Sequence, residues 1–202
     1  MKVGAVILAA GPSTRMGRPK LLLNYKGVSL LRRAVDAAVA AGCAEIVVVL
    51  GAAADQYRAV LEGTAARISV NKHFAEGMAG SIQVGIEALS DDVVAAVIML
   101  ADQPFIDADI IRRLIETYRS SGKKIVASQY GDVRGVPALF DRALFLELLV
   151  VTGDQGARTV IETYPGHVAA VDIPAASAED IDTPDDAERL LREEGRRKKE
   201  EA

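Results

Sequence analysis

Six short apolar runs, separated by helical patterns and loops, constrain the fold of this chain more than any other property. Val3 to Leu8, Glu45 to Leu50, Arg67 to Val70, Val93 to Leu100, Lys124 to Ala127 and Ala169 to Ile173 read as strands. Their continuous rather than alternating apolarity predicts burial on both faces. Between them, Leu31, Ala34, Val35 and Ala38 recur at helical spacing with Arg32, Arg33 and Asp36 opposite, and Gly42 closes that helix. Ile111, Leu114, Ile115 and Tyr118 repeat the pattern, and Ile82, Ile86 and Leu89 mark another helix. The alternation predicts an α/β fold with three layers around a mostly parallel, twisted sheet. With 202 residues, half of them hydrophobic, the chain has material for one substantial core. Residues 1–191 are therefore expected to form a single domain, and the charged run 192–202 to continue a final helix.

Composition narrows the partners. A formal charge of −4, few aromatic residues and no Trp argue against a nucleic-acid surface, which needs basic excess or stacking rings. The single cysteine, Cys43, excludes an internal disulfide and fits a reducing compartment. Lys2 followed by Val3 to Ala10 imitates a signal peptide, but this run sits at the lower limit of the roughly 7–15 residues of a signal core and leads straight into a cationic loop. No stretch approaches the ~20 apolar residues of a membrane span. A soluble, cytoplasmic protein with no membrane partner is expected.

The cationic loop is the first candidate site. After the strand, Leu8-Ala9-Ala10-Gly11-Pro12-Ser13-Thr14-Arg15-Met16-Gly17-Arg18-Pro19-Lys20 combines small residues with three cations. Glycines at 11 and 17 allow close approach of a ligand, and turn amides can face anionic oxygens. Arg15 suits a bidentate grip on phosphates, and Lys20 suits charge developing at a reacting phosphorus. The spacing matches neither G-x-G-x-x-G nor G-x-x-x-x-G-K-[ST]. Asp102 lies two residues beyond the strand that ends at Leu100 and ahead of Pro104, so the two features converge where α/β sheets bind ligands, beyond the carboxyl ends of strands. Magnesium prefers oxygen ligands and takes one or two carboxylates, which suits Asp102; the alternative is a turn residue that caps the helix starting near Asp107. His73 and His167 have no partner at metal-ligand spacing, so no zinc site is expected.

The loop, together with Asn71, Glu76-Gly77-Met78, Ser81, Asp102-Gln103-Pro104, Gly135-Val136-Pro137-Ala138-Leu139-Phe140, Gly153-Asp154-Gln155-Gly156-Ala157-Arg158 and Asp180-Ile181-Asp182-Thr183-Pro184, resembles the small MobA-like nucleotidyltransferases, most of all the molybdenum cofactor cytidylyltransferases. The resemblance covers all but the charged end. It implies a Rossmann-like nucleotidyltransferase fold and a Mg2+-dependent transfer of CMP from CTP to the phosphate of a molybdopterin-type cofactor, with a molybdoenzyme as recipient of the product. Catalysis would fall to Lys20, Arg15 and Asp102. Nucleotide would lie against Leu8, Ala9, Ala10, Gly11, Arg15, Lys20, Asn71, Gly77, Met78, Ser81 and Asp102. The acceptor would lie near Gly135, Pro137, Gly153, Asp154, Gly156 and Arg158.

A second metal carboxylate is also implied, carried over to Asp182, with Asp180 as the fallback. Taken alone, Asp182-Thr183-Pro184 with Asp186 reads as an ordinary helix start, and Ser81 as a helix cap. Guanylyl-transferring relatives tend to carry Gly where this chain has Ala10, which favours cytidine. Three other functions compete: transfer to a sugar phosphate or isoprenoid precursor, non-catalytic carriage or insertion of the finished cofactor, and a dinucleotide-dependent oxidoreductase, whose glycine fingerprint is missing.

Overall fold

The computed structural model describes residues 1–200. In chain order the elements are β1 (Lys2–Ala9), β2 (Asn24–Tyr25), β3 (Val28–Ser29), α1 (Leu30–Ala40), β4 (Glu45–Leu50), α2 (Ala54–Leu61), β5 (Arg67–Val70), α3 (Met78–Glu87) and β6 (Val93–Leu100). There follow α4 (Ala108–Ser121), β7 (Ile125–Tyr130), β8 (Val133–Asp141), α5 (Phe145–Leu149), α6 (Ala157–Thr163), β9 (Val168–Asp172) and α7 (Pro184–Glu200). Seven strands form one sheet in the order β5-β4-β1-β6-β8-β7-β9, and β2 pairs with β3 in a separate small hairpin. Only β8 runs against its neighbours β6 and β7; the other adjacent pairs are parallel.

Strand alternation divides the core. From β1, Ala5, Ile7 and Ala9 join the cluster that includes Leu31 and Val35 of α1 and Ile111 and Leu114 of α4. Val6 and Leu8 face the other way, toward Ile82 and Ile86 of α3 and Val160 and Ile161 of α6. The result is the expected three-layer, mostly parallel α/β architecture. Local signals close the helices: the Ser29 side chain accepts from the Arg32 amide at the start of α1, and that of Asp107 accepts from the Asp109 and Ile110 amides at the start of α4. Asp107 itself therefore caps α4, which leaves Asp102 free of that task.

Three expectations needed correction. Burial on both faces holds for β1, β4 and β6 but not for the two edge strands: in β5 Arg67 and Val70 are exposed and Ile68 and Ser69 half-buried, and in β9 only Val171 is buried. An edge strand has a neighbour on one side only, and four or five residues are too few for helices to cover it. The segment Gly135 to Phe140 lies within a nine-residue strand, β8, which the sequence pattern does not reveal because Arg134, Gly135 and Pro137 interrupt its apolar run. The last two predicted strands shift, to Ile125–Tyr130 and Val168–Asp172. Helix α7 runs through the 191/192 boundary as expected of the charged run, whose residues 201–202 lie outside the described residues.

The order of connection places the site. From β1 the chain builds outward through β4 to β5, then crosses back to place β6 on the other side of β1. Connections thus diverge at the carboxyl ends of β1 and β6, leaving a crevice there.

Candidate functional site

The loop after β1 opens this crevice. Ser13 takes a left-handed conformation (φ 53°), residues Thr14–Met16 and Lys20–Leu22 form single 3₁₀ turns, and Met16 and Leu21 bury their side chains. Two apolar anchors thus hold a polar loop to the core. The Ser13 hydroxyl accepts from the Lys20 amide at 3.3 Å, which closes the loop on itself. Arg15 projects outward, with 74% of its side chain exposed.

Opposite, at the end of β6, the Ala101 amide donates to the Leu8 carbonyl at 3.1 Å and turns Asp102 toward the loop. Lys20 Nζ donates to Asp102 Oδ2 at 2.5 Å and to Asp182 Oδ1 at 2.6 Å, while Arg15 reaches Asp182 Oδ2 at 3.0 Å. The other Asp102 oxygen, Oδ1, is buried without a protein partner. Residues 82 and 162 positions away from Lys20 in sequence therefore meet at one ammonium. Burial alone would lower the Lys20 pKa, but the Asp102 and Asp182 carboxylates outweigh it and the pKa is raised.

Thr183 and Asp186 settle the ambiguity at the start of α7. The Thr183 hydroxyl accepts from the Asp186 amide at 3.2 Å, and Asp186 Oδ2 accepts from the amides of Asp182 and Thr183. These two residues form a reciprocal cap. The Asp182 carboxylate is left for the crevice. Asp180 also lines it; burial first, then the charge of Asp102, pushes its carboxyl up to about 6.

A cavity of about 470 Å³ connects these groups, within the range that holds drug-sized ligands. Of the residues expected at a nucleotide, Leu8, Ala9, Ala10, Gly11, Arg15, Lys20, Gly77, Met78, Ser81 and Asp102 line it. Asn71 does not. It is buried behind the wall, where its amide nitrogen donates to the Ser81 hydroxyl at 3.1 Å and its oxygen accepts from the His73 amide at 2.9 Å. Ser81 is the fourth residue of α3, whose cap is Gly77, so its helix-cap reading does not hold.

The expected acceptor residues are dispersed. Asp154 lines the cavity, whereas Gly135, Pro137, Gly153, Gly156 and Arg158 do not. Arg158 is exposed and paired with Glu162 at 2.7 Å, one turn along α6. Pro137 lies in β8, where its carbonyl accepts from the Ser128 hydroxyl at 2.7 Å. Gly153 acts through its backbone: its carbonyl accepts from the Ala79 amide at 3.1 Å. A Cβ on Gly77 would sit 2.2 Å from that carbonyl oxygen, and Gly77 has φ 117°, so only glycine lets the two segments close on each other.

Phe74, Leu21, Leu100 and the loop residues Pro12, Ser13 and Thr14 also line the cavity without having been singled out as contacts. Phe74 could have been found from its place between Asn71 and the Glu76-Gly77-Met78 segment. The donor set fits a divalent metal ion. Magnesium takes one or two carboxylates and completes its shell with water and phosphate, and Asp102 has an oxygen with unused lone pairs beside Asp182. Among the described residues no three acidic, His or Cys side chains form a ready-made cage. The arrangement suits an ion that keeps water in the rest of its shell until phosphate oxygens replace it. Nor, among those residues, is any helix long and apolar enough to cross a membrane.

Comparison with known proteins agrees with the fold. The MobA-like NTP transferase domain matches residues 5–170. Nicotine blue oxidoreductase of Paenarthrobacter nicotinovorans is 34% identical over 94% of this chain and 96% of its own length. The crystal structure of Rv0371c from Mycobacterium tuberculosis H37Rv superposes with a TM-score of 0.82 at 31% identity, covering 95% of this chain and 99% of that one. The same mycobacterial protein has been crystallised with manganese, with a TM-score of 0.77 at 30% identity over the same shares of both chains. A nucleotidyl transferase from Methanothermobacter shares the fold, with a TM-score of 0.83 at 24% identity over 96% of this chain and 98% of that one.

Proposed function

Because the chain belongs to the MobA-like NTP transferase family and is a nucleotidyltransferase, we propose that it moves CMP from CTP to the phosphate of a molybdopterin-type cofactor and releases pyrophosphate. The observation that carries this reading is Lys20 clasped between Asp102 and Asp182 at the phosphate end of the cavity. In the transfer, an oxygen of the acceptor phosphate forms a bond to the α-phosphorus of CTP, and the bond from that phosphorus to the departing pyrophosphate breaks. The acceptor oxygen is already anionic at neutral pH, so no general base and no covalent enzyme intermediate are needed. Alignment and charge neutralisation do the rest.

Each residue then has a stated task. The loop from Ala10 to Gly17 cradles the triphosphate. Arg15 holds the departing phosphates, and Lys20 stabilises charge on the α-phosphate. Asp102 and Asp182 hold a Mg2+ ion, for which the manganese complex of the mycobacterial relative is support. When bound, that ion neutralises phosphate charge and aligns the triphosphate. Ala9, Ala10, Gly77, Met78 and Ser81 border base and ribose, with Asn71 fixing Ser81. Asp154 borders the acceptor, and the Gly153 backbone holds that wall in place through its bond to Ala79. The catalytic unit is residues 1–191, acting in the cytoplasm and passing product to a molybdoenzyme.

One observation favours a second reading: the 34% identity to an oxidoreductase extends along nearly the whole chain. Pyrophosphate release, measured with CTP, GTP and ATP against molybdopterin-type cofactor, sugar phosphates and an isoprenoid phosphate in the presence of Mg2+, separates the candidates. Release with CTP and the cofactor is expected. Release with another acceptor reassigns the substrate. Tight binding of finished dinucleotide cofactor without release identifies a carrier, and reduction of nicotine blue by a nicotinamide dinucleotide without triphosphate establishes the second reading.

A further inference from the structure

We propose that Gln103 and Asp180 form a clamp that sets the separation between Asp102 and Asp182, and that Asp180 is a positioning residue which acts through this clamp and not as a metal ligand. The inference rests on the reading of Asp102 and Asp182 as the metal carboxylates.

Two hydrogen bonds join the tip of β6 to the segment ahead of α7. The Ile181 amide donates to the Asp102 carbonyl at 3.1 Å, and Gln103 Nε2 donates to Asp180 Oδ1 at 2.9 Å. Adjacent residues of one strand tip thus hold adjacent residues of the other segment. Ile181 buries its side chain in the core with 2% exposure, which leaves Asp180 and Asp182 both at the cavity. They are held differently. Asp182 meets the cations Lys20 and Arg15, whereas Asp180 meets the neutral amide of Gln103, itself only 8% exposed.

The choice of an amide has a physical reason. Asp102, Asp180 and Asp182 are three of the four carboxylates that line the cavity, and repulsion among these three tends to spread the two segments apart. A Lys or Arg at position 103 would hold Asp180 but also cancel the negative field that draws a divalent ion. Gln103 supplies a donor without charge. Its own Oε1 is buried without a partner, so the side chain is oriented by the Asp180 bond and not by competing contacts.

Mn2+ binding without nucleotide, followed by the electron paramagnetic resonance signal of free ion, tests the clamp. Gln103→Leu and Asp180→Ala should each weaken Mn2+ binding about tenfold, the scale of lost outer-shell support. The double variant should be no worse than either single one, because both remove the same bond. Asp180→Asn keeps an oxygen acceptor for Gln103 and should remain within about threefold of the parent, as expected when a ligand's support is preserved. Asp180→Asn as weak as Asp180→Ala would overturn the proposal and make Asp180 a ligand. So would a folded Gln103→Leu variant with unchanged binding. If Gln103→Leu does not fold, the Asp180 pair decides alone. Parent protein that binds Mn2+ while the Asp180→Ala variant binds equally well defeats the clamp only; parent protein that binds no Mn2+ defeats the metal reading and the clamp with it.

Discussion

The two ends of the cavity are built from different materials. At the phosphate end, side chains from three distant segments converge on each other: Lys20 with Asp102 and Asp182, Arg15 with Asp182, Gln103 with Asp180. At the end proposed for the acceptor, the Gly153 segment closes by backbone fit against Gly77 of the proposed nucleotide wall, and among the expected acceptor side chains only Asp154 reaches the space. The phosphate end should therefore be sensitive to loss of functional groups, and the acceptor end to loss of shape.

The largest effect is expected from Lys20→Ala, which should lower kcat by about 10²–10³ with a smaller change in the CTP KM, as for loss of one electrostatic stabiliser. Steady-state kinetics checks this, and unchanged kcat would break the comparison on the phosphate side. Gly77→Ala should destabilise the fold by about 2–4 kcal/mol, from left-handed strain plus overlap with the Gly153 carbonyl. Denaturant unfolding measures it, and a stable variant would mean the acceptor end is not shape-limited. Thr183→Ala removes the cap that frees Asp182 and should cost about 1 kcal/mol. Its thermal midpoint should fall while Lys20 keeps its Asp102 partner. Smallest is Arg158→Ala: the pair with Glu162 is exposed, so about 0.3–0.5 kcal/mol of stability is at stake. The acceptor KM should stay within about twofold, because Arg158 does not line the cavity; a tenfold rise would show that the arginine turns inward when acceptor binds.

What the sequence made legible follows the same division. Chemistry concentrated in unusual residues was readable: the cations of the 10–20 loop stand out after a buried strand, and Asp102 stands out before Pro104. Three of the six strands, Glu45–Leu50, Arg67–Val70 and Val93–Leu100, appear with the predicted ends because turn residues bound them. Strand β8 was hidden because Gly135 and Pro137 interrupt its pattern, and only pairing with β6 and β7 makes it a strand. Asp182 was ambiguous because a carboxylate before Thr and Pro serves a cap or a site equally well. Tertiary structure separates the roles by giving the cap to Asp186. The long-range bond between Gln103 and Asp180 crosses 77 positions and leaves no local trace.

The central claim is that the phosphate end activates the α-phosphorus of a nucleoside triphosphate. A single-turnover experiment with α-labelled and γ-labelled CTP, Mg2+ and the molybdopterin-type acceptor tests it most directly. The account predicts that the α label moves to the acceptor while the γ label leaves in pyrophosphate. Retention of both labels in CTP, or release of the γ label as inorganic phosphate with no label on the acceptor, would contradict it.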